Sequence, residues 1–344
     1  MAGVAWRSLG TLRGLLRRDN YRTGASLQET ADLLRLYLLT GAREAWPHPE
    51  APPSLEDLPP ASDQRTLVHS RLALQGVTLL DAWNRERPPA LPPESPDAPI
   101  TDERRAELQA ERVVTVAAAQ QRAFGFEVHV APSSAGATAG DGVFLKGSTP
   151  PGSLVVFYPG VSMEPADVLT LPGGTRAFEG NEYLMARFDK TIIDGSARSL
   201  ALLPPEALEC PLSIAHTVNH PPGGTLPNVV PAPIDWPHGM MEDLIRLVPN
   251  VSYQHSTAAQ RLLLTSGSNE RRPRDLLDLF RASLAEGVRE ADPEEGPVLK
   301  GLALVTTREV RDEELFLNYR LNPRNGYPSW YFPVDQEEDA RRWT

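Results

Sequence analysis

Tyr319 carries a side chain that could do chemistry, closing the run Glu313-Glu314-Leu315-Phe316-Leu317-Asn318-Tyr319, though alone it also reads as a buried tyrosine ending a core strand. A phenol can donate or accept a hydrogen bond and can hold C–H groups through weak contacts. Two further polar stretches lie upstream, Asn219-His220 followed by Pro227-Asn228, and Gly140-Asp141-Gly142. A buried asparagine must pair all its groups, which suits a crossing of loops. Asp141-Gly142 also predicts a type I′ hairpin turn, because that turn needs positive φ. His216 and His220 stand four apart, a metal-ligand spacing on a helix. Pro221 and Pro222 disfavour helix there, however, and no adjacent glutamate supplies a base, so zinc hydrolysis is a poor fit. The glycines lack the third partner of a dinucleotide fingerprint, and no Gly-x-Ser-x-Gly elbow occurs.

The elements that must position these residues change character along the chain. Residues 1–25 hold Arg7, Arg13, Arg17, Arg18 and Arg22 against the single acid Asp19. Arg-rich, acid-poor and amphipathic is the profile of an organelle transit peptide, which would direct the chain to mitochondria or plastids. A helix docked on the domain, in a protein of cytoplasm or nucleus, is the alternative. Residues 26–123 read as helical. Ser26 with Glu29 forms a candidate capping box, Leu27 to Leu38 repeat at helical spacing, and Gly41 is expected to stop the run. Leu67 to Trp83 predicts a second helix with Leu72, Gly76, Leu79 and Leu80 on one side. A Pro-rich linker over 88–99 follows, and Thr101 can cap a helix running through Ala119.

From Phe124 the texture is short strands and turns. Phe126, Val128 and Val130 alternate with polar residues, and Leu154 to Tyr158 reads as a buried strand. Tyr183–Phe188 and Thr191–Asp194 should pair across Asp189-Lys190, and Leu302 to Val305 is another strand. Residues 256–298 look like an insertion into this part, either a decorated loop or a lid.

Composition narrows the function class. Acidic residues exceed basic ones by 45 to 34, a net charge of −11, which argues against direct binding to a phosphate backbone. A hydrophobic share of 41% supports a buried core. Cys210 is the only cysteine, which excludes intramolecular disulfides and cysteine-rich zinc clusters. No apolar run approaches the roughly 18 residues of a membrane span, so no membrane partner is expected.

In this order, Gly140-Asp141-Gly142, Tyr158-Pro159-Gly160, Asn219-His220 with Pro227-Asn228, and Glu313-Glu314 through Tyr319 resemble the signature stretches of the SET domain. Within that family the chain is most similar to the SET domain-containing protein nine subfamily, which Ala73 to Leu80 also resembles more loosely. The resemblance implies an α+β fold: a β-rich SET domain over about 124–336, with short twisted sheets and a knot-like C-terminal crossing, preceded by the α-helical region. It implies an S-adenosylmethionine-dependent methyltransferase acting on a protein or peptide lysine. Tyr319 would line the transfer channel as the catalytic residue. Gly140, Asp141, Gly142, Asn219, His220 and Tyr319 would hold S-adenosyl-L-methionine, with no metal. The zinc-binding cysteines that follow many SET domains are absent, and Pro328 to Pro333, rich in aromatics, would close the channel. Asn318 stands where aspartate is more frequent, and six residues, Pro221 to Leu226, separate the two asparagine pairs. Those departures favour the alternative, a non-catalytic SET-like module that binds a peptide or partner.

Overall fold

The computed structural model describes residues 24–45, 58–89, 101–171, 178, 180–237, 240, 242–254 and 299–343. The leader expected at 1–25 (all but its last two residues), most of the linker at 88–99 and the insertion at 256–298 lie outside the described residues.

Among the described residues three long helices come first: α1 (Gly24–Ala45), α2 (Ala61–Glu86) and α3 (Asp102–Phe124). Ten strands follow. They are β1 (Phe126–Pro132), β2 (Asp141–Thr149), β3 (Leu154–Tyr158), β4 (Gly160–Met163), β5 (Leu184–Ala186), β6 (Ile192–Asp194), β7 (Val229–Trp236), β8 (Asn250–Ser252), β9 (Leu299–Thr306) and β10 (Val310–Glu314). Helix α4 (Gln336–Arg342) comes near the end, and short helical turns lie between the strands. The strands form three small sheets in the orders β1-β2-β10, β3-β9-β7 and β5-β6-β4-β8, none closed into a barrel. Every pairing is antiparallel except that of β4 with β8. The molecule is thus mixed α and β, with its long helices N-terminal and small sheets after them.

Helices α2 and α3 share the main buried cluster with the sheets, and α1 packs with α2 on β7 and β9 in a second one. Leu80, Trp83 and Ala119 pack in the same buried cluster as Phe126, Phe157, Ile234 and Leu304. Helix α2 buries Val68, Leu72, Gly76, Leu80 and Trp83 along one face. Gly76 sets its approach to β7, since a Cβ there would meet Ile234 Cδ1 at 2.5 Å. Helix α3 starts as expected, with Thr101 Oγ1 accepting from Arg104 N at 3.3 Å, but runs five residues beyond Ala119 to Phe124. Strand β3 is buried throughout.

Three local expectations are corrected. Helix α1 continues past Gly41 to Ala45 and begins at Gly24, so Ser26 lies inside it and is no N-cap. Gly41 instead leaves room for the guanidinium of Arg71, which reaches over to donate to Thr40 O. Asp141-Gly142 is not a hairpin turn, since both residues belong to β2. The turn lies earlier, closed by Ser133 N to Gly140 O at 2.9 Å, and Gly140 supplies its positive φ of 67°. The expected pairing across Asp189-Lys190 is present, with Met185 opposite Ile193 and Lys190 in the left-handed region at φ 65°.

Candidate active site

The chain leaves β10 at Glu314 and runs on as Leu315-Phe316-Leu317 between two segments remote in sequence. Parallel bridges join Phe316 to Asn219 and Leu317 to Val229. Leu315 N donates to Val143 O at 2.7 Å, Leu317 N to Asn219 O at 2.9 Å, and Asn228 N to Phe316 O at 3.1 Å. Buried backbone groups need such partners, and here Val143 of β2 and the two remote asparagine segments supply them. Asn228 completes the set. It is fully buried, donates from Nδ2 to Glu314 O at 2.7 Å and accepts at Oδ1 from Phe316 N at 2.7 Å.

The Gly140–Gly142 stretch meets this junction from the other side. Asn219 Nδ2 donates to Asp141 O at 2.8 Å. A Cβ on Gly142 would stand 2.1 Å from Glu314 Oε1 and 3.3 Å from Asn219 Nδ2, so only glycine fits. A Cβ on Gly140 would meet nothing within 4 Å, which leaves that turn open. Glu314 fastens the turn's other end. Its Oε1 accepts from Ser133 Oγ at 2.6 Å, and its Oε2 accepts from Ser134 N at 2.7 Å and Ser134 Oγ at 2.5 Å. Nothing in the local sequence announces this contact across some 180 positions.

His220 ties the junction to Tyr319 and to the C-terminal aromatics. Its Nε2 lies 2.8 Å from Phe332 O, which can only accept, and its Nδ1 lies 3.3 Å from Tyr319 N, which can only donate. Phe332 O and Tyr319 N suit the neutral tautomer with the proton on Nε2, and the Leu317 backbone also lies against the ring. Burial pushes the imidazole below its ordinary pKa, in the same direction. The ring stacks on Tyr331 at 4.2 Å.

Tyr319 is 38% exposed, but its hydroxyl turns inward and donates to Val218 O at 3.0 Å. Burial of that hydroxyl, with Tyr183 and Glu182 adding to it, pushes the phenol up to about 12. Trp330 stands edge-on to the Tyr319 ring at 6.3 Å. Tyr158 is buried and electrostatically coupled to Tyr319, Asp194 and Tyr183, with burial the largest effect raising its phenol. Gly195 leaves room for it, since a Cβ there would meet Tyr158 Cε1 at 2.9 Å. Neither Tyr183 nor Asp194 stands out in the sequence as part of a site.

The sequence-identified residues therefore form a connected set: Gly142 abuts Glu314, Asp141 holds Asn219, and His220 holds Tyr319. The six residues Pro221 to Leu226 loop away, with a turn closed by Thr225 N to Pro222 O and Gly223 against the Phe332 ring. They leave both asparagines on the junction. His216 belongs to a short 3-10 turn, Ala215–Thr217, which ends before His220. Among the described residues no cluster of three metal-ligating side chains occurs, and no helix is long and apolar enough to cross a membrane. Among the described residues two small cavities beside Arg35 and Arg320 have room for about one water each and are not at the Tyr319 hydroxyl. Searches of protein-family models, curated proteins and solved structures return no match to this chain.

Proposed function

We propose that this chain is a SET-type methyltransferase that uses S-adenosylmethionine to methylate a lysine of a protein or peptide. The observation that carries the reading is the junction itself: the 315–317 segment bridged to both Asn219 and Val229, with Tyr319 just beyond it and its hydroxyl on Val218 O. This crossing supports the knot-like C-terminus that the resemblance implies, and the 124–336 assignment with it. The residues present suit the cofactor. Gly140 leaves open space, and Asn219 commits one amide hydrogen to Asp141 while its side-chain oxygen has no partner among the described residues.

When bound, the cofactor supplies an electrophilic methyl group on a sulfonium. The chain's part is to align an unprotonated amine and keep water away. A free lysine ionises near pH ~10.4, so losing its proton near neutrality costs about 4 kcal/mol. A dry wall lowers that cost, and a nearby cation lowers it further. Tyr319 cannot take this proton near pH 7 because its own phenol ionises near 12. With its proton given to Val218 O, the hydroxyl oxygen, which also faces the His220 backbone, can accept from an amine N–H or hold C–H groups. Burial keeps His216 and His220 below their ordinary pKa, so neither adds a positive charge near neutral pH to repel a cationic cofactor. Alignment supplies most of the remaining acceleration.

Calorimetric titration of the purified chain with S-adenosylmethionine tests the reading. Wild type should bind, and Asn219→Ala should bind at least about fivefold more weakly, roughly 1 kcal/mol, with its circular dichroism unchanged. Binding that is absent in wild type, or equal in a folded Asn219→Ala, would turn the account towards the partner-binding module.

A further inference from the structure

Directly after Tyr319 the backbone turns through Arg320 at φ 54°, a left-handed conformation that a residue with a Cβ adopts only when its surroundings hold it. Its backbone amide donates to Asn318 Oδ1 at 3.1 Å, and its carbonyl accepts from Trp343 Nε1 at 3.0 Å. The guanidinium is almost buried. It forks onto Asp32 of helix α1, with Nη1 to Oδ2 at 3.2 Å and Nη2 to Oδ1 at 3.3 Å, and its Nε pairs with Glu338 of helix α4 at 2.9 Å. Asp32 also takes Arg342 Nη2 at 2.5 Å and Gln28 Nε2 at 3.3 Å.

A bidentate guanidinium–carboxylate pair fixes angle as well as distance. Removing Asp32 leaves the Arg320 guanidinium charged and desolvated, with both Nη groups unmatched and only its Nε still on Glu338, so the loop it held must rearrange to find water. The first thing that loop carries is Tyr319, whose amide bond to His220 Nδ1 is long, at 3.3 Å. We infer that Asp32 is a positioning residue for Tyr319: through Arg320 it makes the N-terminal helix part of the active-site scaffold, almost three hundred positions away in sequence. The effect on rate rests on the methyltransferase reading. The effect on the Tyr319 loop does not.

The test uses the full chain with Asp32→Asn, which keeps size and loses charge, Asp32→Glu, which restores charge, and Glu29→Gln. Glu29 lies on the same helix but pairs with Lys190 at 2.6 Å, away from Arg320. Amide hydrogen exchange is read at Tyr319 and at Val128, whose N–H is buried on Gln120 Oε1 at 2.9 Å and reports global opening. Asp32→Asn should raise exchange at Tyr319 about tenfold while Val128 stays within about twofold. Its kcat should fall about tenfold, with KM and cofactor affinity within about twofold. Asp32→Glu should recover much of both losses, and Glu29→Gln should match wild type. If Asp32→Asn does not fold, Arg320→Lys, which keeps the charge and loses the fork, should show the same pattern. Unchanged exchange at Tyr319, a parallel rise at Val128, or the same change in Glu29→Gln overturns the inference. A folded wild type that neither binds S-adenosylmethionine nor transfers its methyl group refutes the proposed function, while the exchange arms still decide the coupling.

Discussion

Replacing Tyr319 by phenylalanine removes one hydroxyl and keeps the ring in its contacts with His220 and Trp330. The structural cost comes from Val218 O, on a residue 2% exposed, which loses its donor. A neutral bond lost at a buried carbonyl costs about 1–2 kcal/mol, so Tyr319→Phe should fold and melt only a few degrees lower. Cofactor affinity should hold, because Asn219 and the Gly140 turn do not touch the hydroxyl. What disappears is an oxygen that orients the amine and contacts the methyl group during transfer. Such an interaction acts mainly in the transition state, so kcat should fall at least about tenfold, roughly 1.4 kcal/mol, with KM little changed. The loss should also be flat between roughly pH 6 and 9, because a phenol that ionises near 12 keeps its proton throughout. The assay is steady-state methyl transfer beside calorimetric binding and a melting curve. Equal turnover in a folded, cofactor-binding mutant would make Tyr319 a core residue and refute the argument.

Asn228→Ala leaves Glu314 O and Phe316 N without their side-chain partners, and urea unfolding should show a loss of about 3 kcal/mol; a loss below about 1 kcal/mol would mean the junction is held some other way. Burial works to raise the Asp235 carboxyl, but His69 at 3.0 Å and Arg187 at 2.6 Å outweigh it and hold it at about 2, below the ordinary 3.8. Its stabilisation is therefore complete above about pH 4 and lost as pH falls through about 2, so stability should drop by about 2 kcal/mol across that window. Asp235→Asn should flatten that part of the profile, and an identical acid slope in the mutant would rule out this pair as the cause.

Local pattern made the strands legible. The alternation at Phe126 and Val128 and the wholly apolar 154–158 run each became a strand where a single face or a full core demanded it. Asp141-Gly142 misled because its glycine answers to a long-range clash with Glu314 and not to a turn angle. Gly41 misled for the same reason, its neighbour being Arg71 on another helix. At the site, Asn219, His220 and Tyr319 stood out by motif, and hydrogen bonds tie His220 to Tyr319 and Asn219 to Leu317. Ser133, Ser134 and Asp32 carried no signal, because their partners Glu314 and Arg320 lie far along the chain and pair only after folding. Sequence spacing speaks to elements, whereas these contacts belong to the packing between them.

The most direct measurement is transfer of a labelled methyl group from S-adenosylmethionine by the purified chain to proteins of organelle and nuclear extracts, with acid hydrolysis to identify the labelled amino acid. The account predicts label in methylated lysine, dependent on wild-type protein and reduced at least about tenfold by Tyr319→Phe. Label in no lysine, from a folded chain that also fails to bind the cofactor, would contradict it.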